Sequence, residues 1–345
     1  MTLPPAGAGL AAPLEAGIQR FLAHLADERR CAQCTVRSYG SDLHQFARFL
    51  YPRIADPRLP LAAVQPQHVA EFVSQLQRRG LRPSSQARKV SALRACFRYL
   101  TFQGWVAANP VIVPTLPATD DRPPAVIDRE AMDQALTPPL LAAFRDHRDY
   151  AILSVLYGGG LRLGELVGLN LSSVDLERQT ARVTGPAGQQ RVVPLGAAAV
   201  AALRSYLRQR AELMVGLDIG RVDVGALFVN RRGRRLERRT VQRLVARQLG
   251  AVGVGRRCSP GTVRHTYAAH MVAAGADPAA VNRLLGRGGP GTVAAPSATP
   301  LARLRQVYAQ AHPRAGAPRP AEAAALASLR ADELPAVPGL DPWLT

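Results

Sequence analysis

Lysine is almost missing. Of the 44 basic residues in this 345-residue chain, Lys89 is the one lysine and the others are arginines. With the high alanine, glycine and proline content, that bias reads as GC-rich coding more than as a functional choice. Cysteine is scarce too: Cys31, Cys34, Cys96 and Cys258 do not make a disulfide scaffold for a chain this long. Cys31 and Cys34 form a lone C-x-x-C. With no second pair and no H-x-x-x-H after it, it reads as a loop between two helices in a reducing cytoplasm, not as a zinc or redox site. No apolar run approaches the roughly 18 residues of a membrane span. The opening MTLPPAGAGLAAPLEAG lacks a positively charged segment, so no signal peptide is expected. Acidic residues number 25, which leaves a net charge of +19 and favours a polyanionic partner, nucleic acid first.

What is present is distributed unevenly. Residues 1–109 carry 14 basic and 6 acidic side chains, net +8; residues 110–127 hold five prolines and are net −1, the composition of a linker. Residues 128–315 carry 27 basic and 13 acidic side chains, net +14, and the Ala/Pro-rich stretch 316–345 is net −2. Two basic bodies on a proline-rich linker suit a grip on a duplex from two sides. The expected order is a flexible start (1–12), a helical DNA-binding domain (13–109), the linker (110–127), a second domain (128–315) and a tail (316–345).

The first body reads as helical. Ile18, Phe21, Leu22 and Leu25 share a helix face, as do Val36, Tyr39, Leu43, Phe46 and Leu50. Val69, Phe72, Val73 and Leu76 follow Pro66, a residue suited to a helix start. Val90, Leu93, Phe97 and Leu100 form a fourth stripe interleaved with Arg88, Lys89, Arg94 and Arg98, of which Arg88, Lys89 and Arg94 are the expected DNA-facing cations. The second body is mixed. A buried helix over Tyr150–Tyr157 ends at three glycines; TARVT (180–184) and RVVPL (191–195) read as strands around a turn, and Leu227–Val229 as a third. RRGRRLERR follows, with Arg231, Arg232, Arg234, Arg235, Arg238 and Arg239 as six arginines in nine residues. Such mutual repulsion calls for an anion, and a helix is expected from Thr240. The fold class is therefore mainly α with a small β component.

The most specific stretch is YGGGLRLGELVGLNLSSVD, where a glycine turn delivers Arg162 ahead of a short helix, with Glu165 three residues later. About 100 residues on, SPGTVRHTYAAHMVAAGADPAAVNRLLG places Arg264 beside His265. These two boxes, with PSSQARKVSALRACFRYL and the closing VYAQAHPRA, resemble the tyrosine recombinase (phage integrase) family, and within it the XerC-type recombinases of bacteria, from about residue 14 to Arg314.

The resemblance implies a helical, SAM-like core-binding domain and a mixed α/β catalytic domain closing as a C-shaped clamp on double-stranded DNA. In the family a tyrosine attacks the scissile phosphate, leaving a 3′-phosphotyrosine and a free 5′-hydroxyl. Two arginines, here Arg162 and Arg264, offset charge on the phosphate oxygens. A hairpin lysine protonates the leaving oxygen and two histidines complete the set. No metal or other cofactor is implied. The implied partners are a dif-like DNA half-site and a XerD-like recombinase in a heterotetramer, in the cytoplasm with the nucleoid.

Beyond the arginines the pattern departs. The family's G-K-G-x-K-x-R-x-x-P is GPAGQQRVVP here, so Pro186 stands at the lysine and cannot donate a proton, a loss of roughly 10²–10⁴ in rate. Gly261 stands at the first histidine and Arg287 at the second, where a guanidinium can still hold a phosphate oxygen. Pro296 stands at the nucleophile, in a stretch without tyrosine. Tyr308 matches a family tyrosine that is not the nucleophile, and Ser297 has no base to activate it. Glu165, His265 and His270 are expected to pack and to orient Arg162 and the second box.

The expectation is a protein that clamps a dif-like half-site and is impaired in strand cleavage. The alternative is a working recombinase in chromosome dimer resolution, with a non-standard nucleophile or a sequence error near 287–299.

Overall fold

The computed structural model describes residues 12–29, 31, 33–54, 56, 59–112, 125–138, 143–185, 188–254, 258–286 and 301–316. The chain divides into two compact units, the break falling between Pro123 and Pro124.

The first unit is helical: α1 (Leu14–Ala23) running into one π-turn, α2 (Gln33–Leu50), α3 (Pro66–Arg78) and α4 (Pro83–Phe102). The apolar stripes meet as one core of Ile18, Phe21, Leu43, Phe46, Leu50, Val69, Phe72, Leu93, Phe97 and Leu100. The Phe46 and Phe72 rings pack edge-on at 5.2 Å, a favoured aromatic geometry. Cys31 precedes α2 and Cys34 lies within its first turn, so only the first half of the C-x-x-C is interhelical.

One basic residue on α4 departs from expectation. Lys89 is buried, and its ammonium donates to Asp42 Oδ1 at 2.8 Å and Gln45 Oε1 at 2.6 Å. Asp42, 1% exposed, also accepts from Arg88. A carboxylate buried that deeply needs its cations, so Lys89 is a core ion partner and not a DNA-facing cation.

The second unit is built around α6 (Phe144–Gly159), buried at every residue from His147 to Gly159. Three of its buried polar side chains find internal partners: His147 meets Ser205 Oγ at 2.6 Å, and Arg148 binds Asp149 and the Val229 carbonyl. Around it lie α5 (Arg129–Ala135), α7 (Leu163–Val167), α8 (Ala197–Val215), α9 (Arg238–Ala251), α10 (Pro260–Ala273), α11 (Pro278–Leu284) and α12 (Leu301–Ala311). Helix α9 thus opens at Arg238, two residues ahead of Thr240.

The sheet is antiparallel, β1-β2-β3, with β1 at Val174–Asp175, β2 at Thr180–Thr184 and β3 at Gln190–Pro194. Ala181 pairs with Val193 and Val183 with Arg191. The third strand is therefore Val174–Asp175, not Leu227–Val229. The latter segment is buried, but a tyrosine hydroxyl takes the place of a strand partner: Tyr206 Oη donates to the Leu227 carbonyl and accepts from the Val229 N–H, both at 3.1 Å. Single bridges, Asn170 with Ala226 and Val229 with Arg235, flank it.

Candidate functional site

The end of α6 sets the first box. Gly160 is left-handed at φ +56°, and a Cβ there would come within 2.8 Å of the Tyr267 ring and 2.9 Å of Leu285, so the turn requires glycine. It buries Leu161 and presents Arg162, extended, at the start of α7. Glu165, one turn into α7, accepts the Arg162 backbone N–H at 2.7 Å and its Nη1 at 2.8 Å.

Glu165 is the hub of the site. Its side chain is 2% exposed and gathers three guanidinium groups. Arg191 on β3 donates from Nη1 to Oε1 at 2.6 Å and from Nη2 to Oε2 at 2.9 Å, the planar fork-on-carboxylate geometry. Arg264 Nη1 lies 3.7 Å from Oε2. Burial pushes the Glu165 carboxyl up; the hydrogen bonds from Arg191 and Arg162 and the charge of Arg191 outweigh it and hold the group below its ordinary range.

The same three arginines cap the C-terminal end of α11. The Leu284 carbonyl accepts from Arg191 Nε at 3.0 Å, Leu285 from Arg264 Nη2, and Gly286 from Arg162 Nη2 at 3.1 Å. Cations at a helix C-terminus meet the negative end of its dipole. Arg264 Nη1 also donates to the Gly160 carbonyl at 2.6 Å, which joins the two boxes. Arg162 is the most open of the three, with 34% of its side chain exposed against 16% for Arg191 and 8% for Arg264. The result is one carboxylate among three guanidiniums, a positive centre suited to an oxyanion.

Helix α10 starts with Ser259, whose Oγ accepts from the Thr262 N–H at 3.2 Å. Gly261 lies in that first turn with space above it: an added Cβ would meet only Ser259 Oγ, at 3.4 Å. His265 is half-buried on the same helix. His270 bonds the Tyr157 hydroxyl at 2.8 Å. Pro186, Arg287, Pro296 and Ser297 lie outside the described residues.

All eight tyrosines of the chain fall within the described residues. The five in the second unit, Tyr150, Tyr157, Tyr206, Tyr267 and Tyr308, are buried. Burial pushes the phenol of Tyr206 up to about 12 and those of Tyr157, Tyr267 and Tyr308 above their ordinary range. None of these four is poised as a phenolate.

The arginine run divides. Arg231, Arg232, Arg234, Arg238 and Arg239 are exposed, and none pairs with a carboxylate among the described residues. Arg235 does otherwise: it donates to Asp223 Oδ2, to the Val167 and Leu169 carbonyls and to Asn170 Oδ1 at 2.6–3.0 Å. That guanidinium pins the turn to the body and has no fork left for a phosphate. In the first unit Arg94 is exposed, and Arg88 is exposed but tied to Asp42.

Arg191 is the residue that reading the sequence passed over. Its signal is the R-x-x-P of the hairpin segment, where Arg191 stands at the family's arginine.

Comparisons with known proteins agree with this architecture. Residues 130–293 match the phage integrase family and residues 18–104 the phage integrase N-terminal SAM-like domain. The chain is 36% identical to a tyrosine recombinase XerC of Pelobacter propionicus over 90% of this chain and 99% of that one. It is 33% identical to a tyrosine recombinase XerC of Myxococcus xanthus over 86% and 98%. Among solved structures it is similar to XerH recombinase bound to difH substrate, with a TM-score of 0.62 and 18% identity over 90% of this chain and 97% of that one. It is also similar to a lambda integrase dimer bound to a COC′ core site, with a TM-score of 0.59 and 17% identity over 83% and 77%.

Proposed function

Because the chain belongs to the phage integrase family of tyrosine recombinases, we propose that it binds double-stranded DNA as a XerC-type protein does, at a dif-like half-site, and that it holds the scissile phosphate without cleaving the strand. The helical unit and the catalytic-type unit both offer cations: Arg94 and Arg88 on the first, the exposed arginines of 231–239 and Arg162 on the second. Arg162 and Arg264 supply charge at the phosphate.

The observation that carries the loss of cleavage is the tyrosine inventory. Residues 287–300 contain no tyrosine, the five tyrosines of the second unit are buried, and burial pushes the phenols of Tyr157, Tyr206, Tyr267 and Tyr308 up. Nucleophilic attack needs an accessible oxygen, and burial withholds all five. The test is a half-site duplex nicked beside the cleavage point, which traps any covalent protein–DNA adduct. Gel retardation without adduct is the expected result; an adduct would sink the reading.

A second reading, an active recombinase in chromosome dimer resolution with a XerD-like partner, draws on the complete Arg162–Glu165–Arg264 cluster. It requires adduct formation once that partner occupies the neighbouring half-site. Either reading places the chain in the cytoplasm on DNA, and no helix among the described residues is long and apolar enough to cross a membrane.

A further inference from the structure

Glu165 is a poor neighbour for a phosphate. It is a buried carboxylate within hydrogen-bonding reach of Arg162 and 3.7 Å from Arg264, the two guanidiniums that the DNA-binding reading assigns to the phosphate. A carboxylate there competes with the phosphate for the same donors and repels its charge, and in a site shielded from water that repulsion is strongly felt. Something must offset it.

We propose that Arg191 is a positioning residue that acts as the internal counter-ion of Glu165, so that Arg162 and Arg264 keep their charge for DNA although Arg191 itself touches none. This rests on the DNA-binding reading above. The geometry supports it in three ways. Arg191 meets both carboxylate oxygens of Glu165, whereas Arg162 meets Oε1 alone with its guanidinium. The remaining Arg191 donor, Nε, bonds the Leu284 carbonyl, so all three nitrogens of the guanidinium face protein. And Arg191 is fixed on β3 by pairing with Val183, so the counter-ion belongs to the sheet while the two arginines that the DNA-binding reading assigns to the phosphate belong to α7 and α10. With Arg191 present, the cluster holds three guanidiniums to one carboxylate, and the fork of Arg191 occupies both oxygens of that carboxylate. Without it, Glu165 falls back on Arg162 and Arg264, and the site loses charge twice.

The test is fluorescence anisotropy with a labelled, random-sequence duplex at low salt, where phosphate contacts dominate binding, on the wild-type chain, Arg191→Gln, Glu165→Gln and the double variant. The expected result is a loss of about fivefold or more for Arg191→Gln in the wild-type background, and of less than about twofold when Glu165 is already Gln, since the charge to be offset is gone. Arg191→Lys keeps the charge beside Glu165 and loses the fork; because the proposal turns on that charge, binding is expected within about twofold of wild type.

An equal loss in both backgrounds overturns the proposal, because Arg191 then acts on phosphate or on the fold and not through Glu165. No loss in either background overturns it as well. Should Arg191→Gln fail to fold, Arg191→Lys decides alone: binding close to wild type supports the proposal and a loss beyond fivefold overturns it. A wild-type chain that does not bind the duplex removes the DNA-binding reading and this proposal together, an outcome distinct from all the others.

Discussion

Arg264, on α10, donates to the carbonyl of Gly160, the left-handed residue that closes α6, at 2.6 Å across 104 residues of sequence. One backbone oxygen therefore ties the second arginine box to the turn that delivers the first. Gly160 to Ala should disturb both, because its Cβ would press on Tyr267 and Leu285 in a conformation that L-residues avoid. A destabilisation of about 2–3 kcal/mol is expected, read as a lowered Tm, with weakened DNA binding at temperatures where the variant is folded.

Lys89 and Arg94 lie five residues apart on α4 and should behave in opposite ways. Lys89→Met breaks a buried ion cluster and should cost about 3 kcal/mol of stability in chemical denaturation. Arg94→Ala should leave Tm unchanged within the usual surface range. It should weaken DNA binding evenly across sequences and make the slope of log affinity against log salt shallower by about one unit. Equal Tm losses in the two variants would contradict the placement of Lys89 in the core.

Gly261 has room for a side chain. Gly261→His is expected to fold with a stability change within about 0.5 kcal/mol and to give no covalent adduct on a nicked half-site, since the tyrosine is still absent. Adding Pro296→Tyr and Pro186→Lys is the combination from which an adduct is expected. Adduct from Gly261→His alone would show that another nucleophile operates.

His312, at the end of α12, predicts acid sensitivity. Burial lowers its pKa from the usual 6.5 to about 3. The ring is neutral in the fold: the Arg314 N–H donates to Nδ1 at 3.1 Å, and Nε2 is 3.3 Å from the Tyr157 carbonyl, the place for the one ring proton. The unfolded chain binds a proton below pH 6.5 and the folded chain does not until about pH 3, so stability rises with pH across that window and is lost as pH falls through it. Tm should decline steadily from pH 6.5 toward 4, and His312→Gln should flatten the decline. The lowered Glu165 carboxyl adds a loss at more acidic pH, below the ordinary carboxylate range.

Much of the fold was legible because apolar spacing is a local property. The four stripes of the first unit became its core with few exceptions, since a helix face buried once is buried along its length. The strand pair 180–184 and 190–194 followed from its turn. Leu227–Val229 misled because an apolar run does not say what meets its backbone groups; the Tyr206 hydroxyl donates to one and accepts from another. The arginine-rich run misled in the same way at Arg235.

Residue identity at each family position is covalent, so the sequence alone determined the two retained arginines, the two prolines, glycine and arginine that stand at the other positions, and the charge that divides into two basic bodies. Only the tertiary structure decided what each cation does. An arginine side chain is long, and its partners here lie 26 residues away for Arg191 with Glu165 and 124 away for Arg162 with Gly286. Burial then determines whether such a group meets a carboxylate, a helix end or solvent, because a desolvated guanidinium must be hydrogen-bonded where it is and an exposed one remains available to DNA.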